Sequence, residues 1–256
     1  MGNFVHLHVH TEYSILDGAT KIAVAAKKAK ALGMPALAIT DHGNMYGAVN
    51  FFDACEKEGI KAIIGTEFYV CDDLTVKSGK AKLNHLVLLV LWFKNLFGED
   101  FYLEMQNHML EEQLEVNKYL RTYAKKYGIK LVATNDVHYL ERSDAESQDV
   151  LMCVQMGADY DDPKRLRFPN DEFYLKSYDE MAALFPNDPE ALETTLEIAD
   201  KCNFGFVYGH YMFPHYYPET GEDPKTYIRG LIDAGIKKKY GAETKEIRDR
   251  IESELA

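Results

Sequence analysis

The sequence predicts an α/β protein in which helices cover a parallel sheet that forms a closed or nearly closed barrel. Strand and helix patterns alternate through roughly the first half of the chain, as in βαβ proteins. The strands are continuous apolar runs, which is typical of parallel strands buried on both faces. Helical patterns dominate from residue 143 onward, so a helical extension follows the barrel.

Each element of the first part has its own signal. Residues 4–9 alternate apolar residues with histidine, and residues 35–40 and 60–70 are short runs of strand-forming residues. Between them, residues 21–32 and 44–58 have the apolar spacing of helices. The candidate helix ends are the cap Asn44 and the stops Gly33 and Gly59.

The second part begins with residues 85–91, HLVLLVL, where the unbroken apolar run after His85 predicts another buried strand. A strand at 100–106, a helix at 110–126 and a strand at 129–136 continue the alternation. The remaining predicted helices are residues 143–155, 178–184, 189–202, 224–240 and 244–255. We expect two domains, a metal-binding barrel over residues 1–205 and a linker with C-terminal helices over residues 206–256.

Composition narrows the class of protein. The longest apolar run, residues 86–93, is too short to cross a membrane, and the N-terminus lacks a secretory signal. The four cysteines show no paired short spacing and indicate reduced thiols, so we expect a cytoplasmic protein with no membrane partner. A net charge of −12 excludes non-specific attraction to nucleic acid, although bound metal cations would let such a chain handle phosphates.

Metal-binding residue types follow most of the predicted strands. In a parallel barrel, the carboxyl ends of the strands meet at one rim, and chemistry collects there. The residues near that rim are His8, His10, Asp17, Asp41, His42, Glu67, His85, His108, Asp136 and His138. Histidine and carboxylate are the ligands of Zn²⁺, Mn²⁺ or Fe, and this set exceeds one tetrahedral site. It therefore predicts a multinuclear centre that can clamp a phosphate and activate water.

Each of these motifs also has an explanation without metal. A lone His-x-His can be a strand with buried or solvated histidines, and "TDHGN" can be a helix cap. We favour the metal hypothesis because five strand ends share the pattern. His6 is expected in the core behind the ligands, and surface or supporting roles are the default for His108, His210 and His215. No nucleophile elbow, dinucleotide fingerprint or P-loop motif occurs.

Several motifs together resemble the PHP (polymerase and histidinol phosphatase) family, in particular the PHP domains of bacterial replicative DNA polymerases. They are "FVHLHVHTEYSILDGA", "MPALAITDHGNMYGAVNF", "GIKAIIGTEFYV", "NHLVLLV" and "VATNDVHYL". The resemblance continues through "RLRFPNDEFYLKS" and "PEALETTLEIADKCN", so it covers nearly the whole chain. It implies a distorted (β/α)7 TIM-like barrel that holds up to three metal ions, usually Zn²⁺ and sometimes Mn²⁺ or Fe.

The resemblance also implies roles for individual residues. The ligands implied for the first metal are His8, His10, Glu67 and Asp136. The second metal would share Glu67 and take His85. The ligands implied for the third metal are Asp17, His42 and His138. The residues implied to take part in catalysis are Asp136, Glu67 and His10.

The resemblance is compatible with three functions. Active members of the family hydrolyse phosphoesters, and the polymerase type is a 3′→5′ exonuclease that proofreads single-stranded 3′ ends of DNA. Other polymerase-type domains serve as scaffolds with little or no catalysis. A small-molecule phosphomonoesterase is the third candidate. The partners implied for the full-length protein are a polymerase core and replisome subunits.

The chain departs from the family pattern in two places. "NHLVLLV" runs almost directly into "LWFKNLFGEDFYLE", where the family has a further segment that carries a cysteine as the ninth ligand. Eight of nine ligand positions therefore match, and the internal deletion, natural or engineered, could shorten the barrel by one or two units. The chain also stops where the family continues into the polymerase palm, so no polymerase activity is expected.

Overall fold

The computed structural model of the chain describes residues 3–68, 86–211 and 213–255, without the side chains of 86–89. His85 lies outside the described residues. The chain divides into two compact units, Met1–Phe206 and Val207–Ala256.

Two pairs of parallel strands form the sheet structure of the first unit. Strand β1 (Ala36–Ile39) pairs with β2 (Lys61–Ile64), and Ala36 lies opposite Lys61. Strand β3 (Tyr102–Gln106) pairs with β4 (Lys130–Thr134), and Tyr102 lies opposite Lys130. Both pairs are parallel, so the carboxyl ends of paired strands lie at the same edge, as the sequence predicts.

The predicted first strand, residues 4–9, is an extended segment that connects the two pairs. On one side its carbonyls accept hydrogen bonds from the amides of Ala38 and Thr40, at 3.0 and 2.8 Å. On the other side the amide of His10 donates to the carbonyl of Val137 at 2.7 Å, and Val137 in turn donates to the carbonyl of His8 at 3.1 Å. The histidine segment is therefore central and lies between β1 and the continuation of β4.

Helices cover these strands. They are α1 (Ile22–Ala31), α2 (Ala48–Glu58), α3 (Leu86–Phe97), α4 (Glu111–Tyr127), α5 (Ala145–Met156), α6 (Tyr178–Leu184) and α7 (Pro189–Lys201). Helix α1 packs on α2, α2 packs on β2, and α7 packs on β4. The centre of the core is fully buried and includes Val9, Leu37, Met105, Ala133 and Val137. Burial of these apolar residues is the main force that holds the strand ends together.

Two predictions about local structure are wrong. The apolar run at 85–91 is not a strand where it is described, because α3 begins at Leu86 and continues for 12 residues to Phe97. Periodicity alone does not distinguish a fully apolar helix from a buried strand. Asn44 does not cap α2, which begins at Ala48. Its side-chain amide instead donates to the carbonyls of Tyr13 and His42, both at 3.0 Å.

The first unit is thus a mixed α/β fold with parallel strands. Within the described ranges, the strand pairs do not close into a ring, and the (β/α)7 barrel stays a prediction.

The second unit contains α8 (Pro224–Tyr240) and α9 (Lys245–Leu255). The carboxylate of Asp223 caps α8 by accepting hydrogen bonds from two backbone amides of its first turn. A bidentate pair between Arg229 and Glu252, at 2.8 and 2.9 Å, connects the two helices. No helix of the described chain combines the length and the apolar character needed to span a bilayer.

Candidate metal centre

Four side-chain atoms from three separate segments converge at the carboxyl ends of the strands. They are Nε2 of His8, Nε2 of His10, Oε2 of Glu67 and Oδ1 of Asp136. Every pair that includes a histidine is separated by 3.1–3.4 Å. The alternation of the first segment puts both imidazoles on one face, while the ends of the β2 and β4 segments supply the carboxylates.

This arrangement fits a metal ion. A tetrahedral zinc ion with bonds of about 2.0–2.2 Å separates neighbouring ligand atoms by roughly 3.3–3.6 Å. The buried Oδ1 atom of Asp136 makes no hydrogen bond of normal geometry within the described part of the chain. Two imidazole nitrogens nevertheless lie 3.2 Å from it. A buried oxygen that lies this close to two imidazole nitrogens without such a hydrogen bond is an atom that a cation could satisfy.

A second group lies beside the first. Nε2 of His42 lies 3.0 Å from Oδ2 of Asp17, and Nδ1 of His42 lies 3.1 Å from the same Glu67 oxygen that faces His10. The ring of His10 is 4.1 Å from that of His42 and 4.4 Å from that of His138. Ligand atoms of these three histidines all lie within 4.8 Å of one another. Glu67 therefore stands between two candidate ion positions.

The structure thus brings together every predicted ligand that it describes. Their positions follow from the strand ends, where backbone hydrogen bonds fix the register. His42 forms a parallel bridge with Glu67, and Val9 forms one with Val137.

Glu104 contacts the centre and was not predicted. Its Oε1 lies 2.6 Å from Nδ1 of His8 and also accepts a hydrogen bond from Thr134. A carboxylate on the far nitrogen of an imidazole fixes the ring orientation and the tautomer. The one feature of the sequence that points to Glu104 is its position as an acid between Leu103 and Met105, two apolar residues that are buried in β3.

His10 is held by a comparable chain of contacts. Its Nδ1 lies 3.0 Å from Oγ of Ser14, which donates to Oδ1 of the buried Asp41 at 2.8 Å. Asp41 also accepts hydrogen bonds from the amide and the hydroxyl of Thr11, at 2.7 and 2.8 Å. Asp41 therefore holds the loop after the first segment and is not one of the converging atoms.

Charge in the centre is finely balanced. Burial alone would lower the pKa of His8, but Glu104 and Glu67 outweigh it and raise that pKa to about 11. The pKa of Glu67 lies well below its usual range, because His10 and His8 donate to it. Burial raises the pKa of Asp136, yet the nearby imidazoles lower it to about 2. Burial would also lower the pKa of His10, but Asp136 and Glu67 outweigh it and raise that pKa. Protons on His8 and His10 thus offset part of the carboxylate charge, and a bound cation would take their place.

The other histidines have structural surroundings. His6 is fully buried, and its Nε2 lies 2.9 Å from the carbonyl oxygen of Lys176. His108 is also fully buried, between the carbonyl of Asn135 at 3.0 Å and the amide of Gln113 at 2.8 Å. The remaining two, His210 and His215, are exposed.

Comparison with known proteins defines the class. Residues 6–91 match the model of the PHP domain. The chain belongs to the PHP family, as its motifs predict. Among its relatives are DNA polymerase III alpha subunits from Borreliella burgdorferi and Treponema pallidum, both 35% identical. Each alignment covers 99% of this chain and 28% of the relative. The subunit from Thermus aquaticus is 32% identical over 93% of the chain and 26% of its own length.

The chain therefore spans less than a third of the length of these relatives. The alignment to the Borreliella protein extends over 329 residues, whereas this chain has 256. In more than 70 positions of this alignment the relative has a residue and this chain has a gap, which supports an internal shortening.

Proposed function

We propose that the chain is a metal-dependent phosphoesterase that removes nucleotides from the 3′ end of single-stranded DNA. The observation that carries this proposal is the convergence of His8, His10, Glu67 and Asp136 at 3.1–3.4 Å. Similarity to DNA polymerase III alpha subunits supports DNA as the substrate class. In a longer protein, a polymerase core and replisome subunits would be the partners, in the cytoplasm.

The two groups of side chains would hold the metals. His8, His10, Glu67 and Asp136 form the set for the first metal, and Asp17, His42 and His138 form the set for the third. Glu67 and His85 are the ligands we propose for the second metal. We take Zn²⁺ as the first choice, with Mn²⁺ or Fe as alternatives and up to three ions in all, since the nitrogen and carboxylate donors suit each of them. Bound metal supplies positive charge for phosphate oxygens and lowers the pKa of water. We propose that the unit that carries this centre is a (β/α)7 barrel, shortened by the deletion.

The chain's own residues prepare this site before any substrate binds. Glu104 and Ser14 fix the rings of His8 and His10, so both Nε2 atoms point to one place. Because the pKa of Asp136 is about 2, its carboxylate is ionised at neutral pH and can accept a hydrogen bond from water. Such preorganisation means that little rearrangement is needed during reaction. We assign Asp136, Glu67 and His10 as the residues closest to the reacting phosphate.

The acidic character of the chain fits a metal-dependent mechanism. With a net charge of −12, the protein repels a DNA backbone unless cations intervene. We therefore expect binding of the 3′ end to require metal rather than a basic surface.

Metal analysis followed by a nuclease assay tests the proposal. The purified chain is analysed for metal and then assayed with Zn²⁺ or Mn²⁺ on a 3′-labelled oligonucleotide and on a phosphomonoester. We expect release of 3′ nucleotides, and loss of activity in a His8→Ala, Asp136→Asn double variant. His215→Ala is the matched control, because His215 is exposed and lies in the second unit. Equal activity in the double variant would mean that contamination produces the signal.

A second candidate function is a metal-stabilised scaffold with little or no catalysis. The shortening by more than 70 alignment positions favours it, since the family resemblance implies that the ninth ligand would lie in the missing segment. A scaffold would bind metal, and the bound metal would raise its melting temperature, but it would hydrolyse neither substrate. Faster cleavage of the phosphomonoester than of the oligonucleotide would instead favour a small-molecule phosphatase.

A further inference from the structure

A buried ion pair lies behind the candidate ligands. Lys176 and Glu172 are 2% and 3% exposed, and Nζ of Lys176 is 3.1 Å from Oε2 of Glu172. The other oxygen of Glu172 lies 2.8 Å from Nη2 of Arg142. Burial of an ammonium group is costly unless its hydrogen bonds are all made. The remaining contacts of Lys176 therefore show what this pair holds in place.

Asn135 is a further side-chain partner of Lys176, whose ammonium group also lies 4.1 Å from the centre of the Tyr174 ring. Nζ of Lys176 lies 3.3 Å from Oδ1 of Asn135 and also donates to the carbonyl of Glu172. Nδ2 of Asn135 donates to the carbonyls of Glu172 and Tyr174, at 2.9 and 2.8 Å. Asn135 is fully buried. Both ends of its amide are thus held by the segment from Glu172 to Lys176.

Asn135 directly precedes a strained ligand. Asp136 has φ of 44°, in the left-handed region that residues other than glycine seldom occupy. Such a conformation persists only where the surrounding contacts fix it. The same segment holds the next part of the chain, since the amide of His138 donates to the carbonyl of Phe173 at 2.9 Å. Residues 135–138 are therefore fixed from one side by residues 172–176.

We propose that Lys176 is a positioning residue of the metal centre. Its ammonium group, held by Glu172, fixes the amide of Asn135, and Asn135 fixes the backbone that aims Asp136 and His138 at the converging atoms. Lys176 itself touches neither metal nor substrate. This assignment rests on the proposed function, because it supposes that the converging atoms bind metal.

The test compares three variants in the full chain. Lys176→Met keeps the length of the side chain and removes its charge, and Glu172 keeps Arg142 as a partner. Asn135→Ala removes the contact between Lys176 and Asn135 and leaves the ion pair of Lys176 with Glu172 in place. This variant tests the assignment if Lys176→Met does not fold. Arg121→Met is the matched control, because Arg121 pairs with the buried Asp188 at 2.7 Å and contacts none of the candidate ligands that the structure describes.

Two quantities are measured for each variant. Hydrogen exchange of amides 135–139 is followed in metal-free protein, and Zn²⁺ affinity is measured by competition with a chelator. We expect faster exchange there and a loss of Zn²⁺ affinity of about 10- to 100-fold in Lys176→Met and Asn135→Ala, but not in Arg121→Met. Combined with Asp136→Asn, Lys176→Met should add little further loss, because the ligand that it positions is already impaired.

Several results would overturn the assignment. Unchanged exchange at 135–139 would do so, and so would equal losses of affinity with and without the Asp136 carboxylate, which would indicate a general structural role. If the wild-type chain bound none of Zn²⁺, Mn²⁺ and Fe, the proposed function and the assignment would fail together. If it bound Zn²⁺ and both variants bound it equally well, the assignment alone would fail.

Discussion

Gly18 offers a direct test of how the loop after the first segment is folded. A Cβ atom added at this position would lie 2.3 Å from the carbonyl oxygen of Thr11 and 2.9 Å from its carbonyl carbon. Contacts of a Cβ atom below 3.0 Å are essentially never seen, and the obstructing atoms here belong to the backbone. In a Gly18→Ala variant the loop must therefore move by at least roughly 0.7 Å, the difference between 2.3 Å and 3.0 Å, because no flexible side chain is there to move aside.

Two consequences follow from that movement. Overpacking of this kind costs about 1–3 kcal/mol of folding free energy. For a protein of roughly 150–250 residues, each kcal/mol lowers the melting temperature by about 2–4 °C. The displaced loop also carries Ser14, which contacts His10, and Asp17, which contacts His42. We therefore expect Gly18→Ala to lower both the melting temperature and the affinity for Zn²⁺.

The assay is thermal unfolding of the metal-free chain, monitored by circular dichroism, with Gly205→Ala as the control. An added Cβ at Gly205 meets no atom within 4 Å, and its backbone is not in the left-handed region. The control should therefore stay within about 0.5 kcal/mol of wild type. If Gly18→Ala were as stable as Gly205→Ala, the close approach of this loop to Thr11 would be refuted.

Three further predictions follow. Glu104→Gln should weaken Zn²⁺ binding about 10- to 100-fold in calorimetry, because the glutamine loses the charge that orients His8; unchanged affinity would contradict a role in the centre. Glu197 has a pKa lowered to about 2, chiefly by Lys130, so its ionised form stabilises the fold above about pH 4.5, and this contribution is lost as pH falls toward 2. Glu197→Gln should cost about 1 kcal/mol or less at pH 7 in urea unfolding, with a difference from wild type that shrinks below pH 4.5; a constant difference would argue against the ion pair. Burial raises the pKa of the Cys55 thiol to about 12, so Cys55 should resist iodoacetamide at pH 8 while the half-buried Cys202 reacts; equal labelling in a mass spectrum would contradict this burial.

The spacing of apolar residues along the sequence, together with the residues that end helices, predicted most elements correctly. The predicted helix at 21–32 corresponds to α1, and the strand at 129–136 includes β4. The error at residues 86–91 has a physical cause, because a run that is apolar at every position has no period from which strand and helix can be distinguished. Local propensity is a weak guide where all faces of a segment are apolar.

The candidate ligands were predictable for a different reason. His8 and His10 share a face in any extended backbone, and parallel strands bring their carboxyl ends to one edge. Glu104 and Ser14 could not be selected in the same way. Each contacts a ligand only through one side-chain orientation, which depends on packing between segments that are distant in sequence.

The sequence by itself determined the family, the alternation of strands and helices, and the chemical types of the residues at the strand ends. These follow from residue spacing and motif identity, which are local properties of the chain. Only the tertiary structure decided that Glu67 lies between His10 and His42, that Asp136 adopts a left-handed conformation, and that Lys176 lies buried behind it. Those features arise when segments that are distant in the sequence pack against one another, because each buried polar atom then needs a hydrogen-bond or ionic partner.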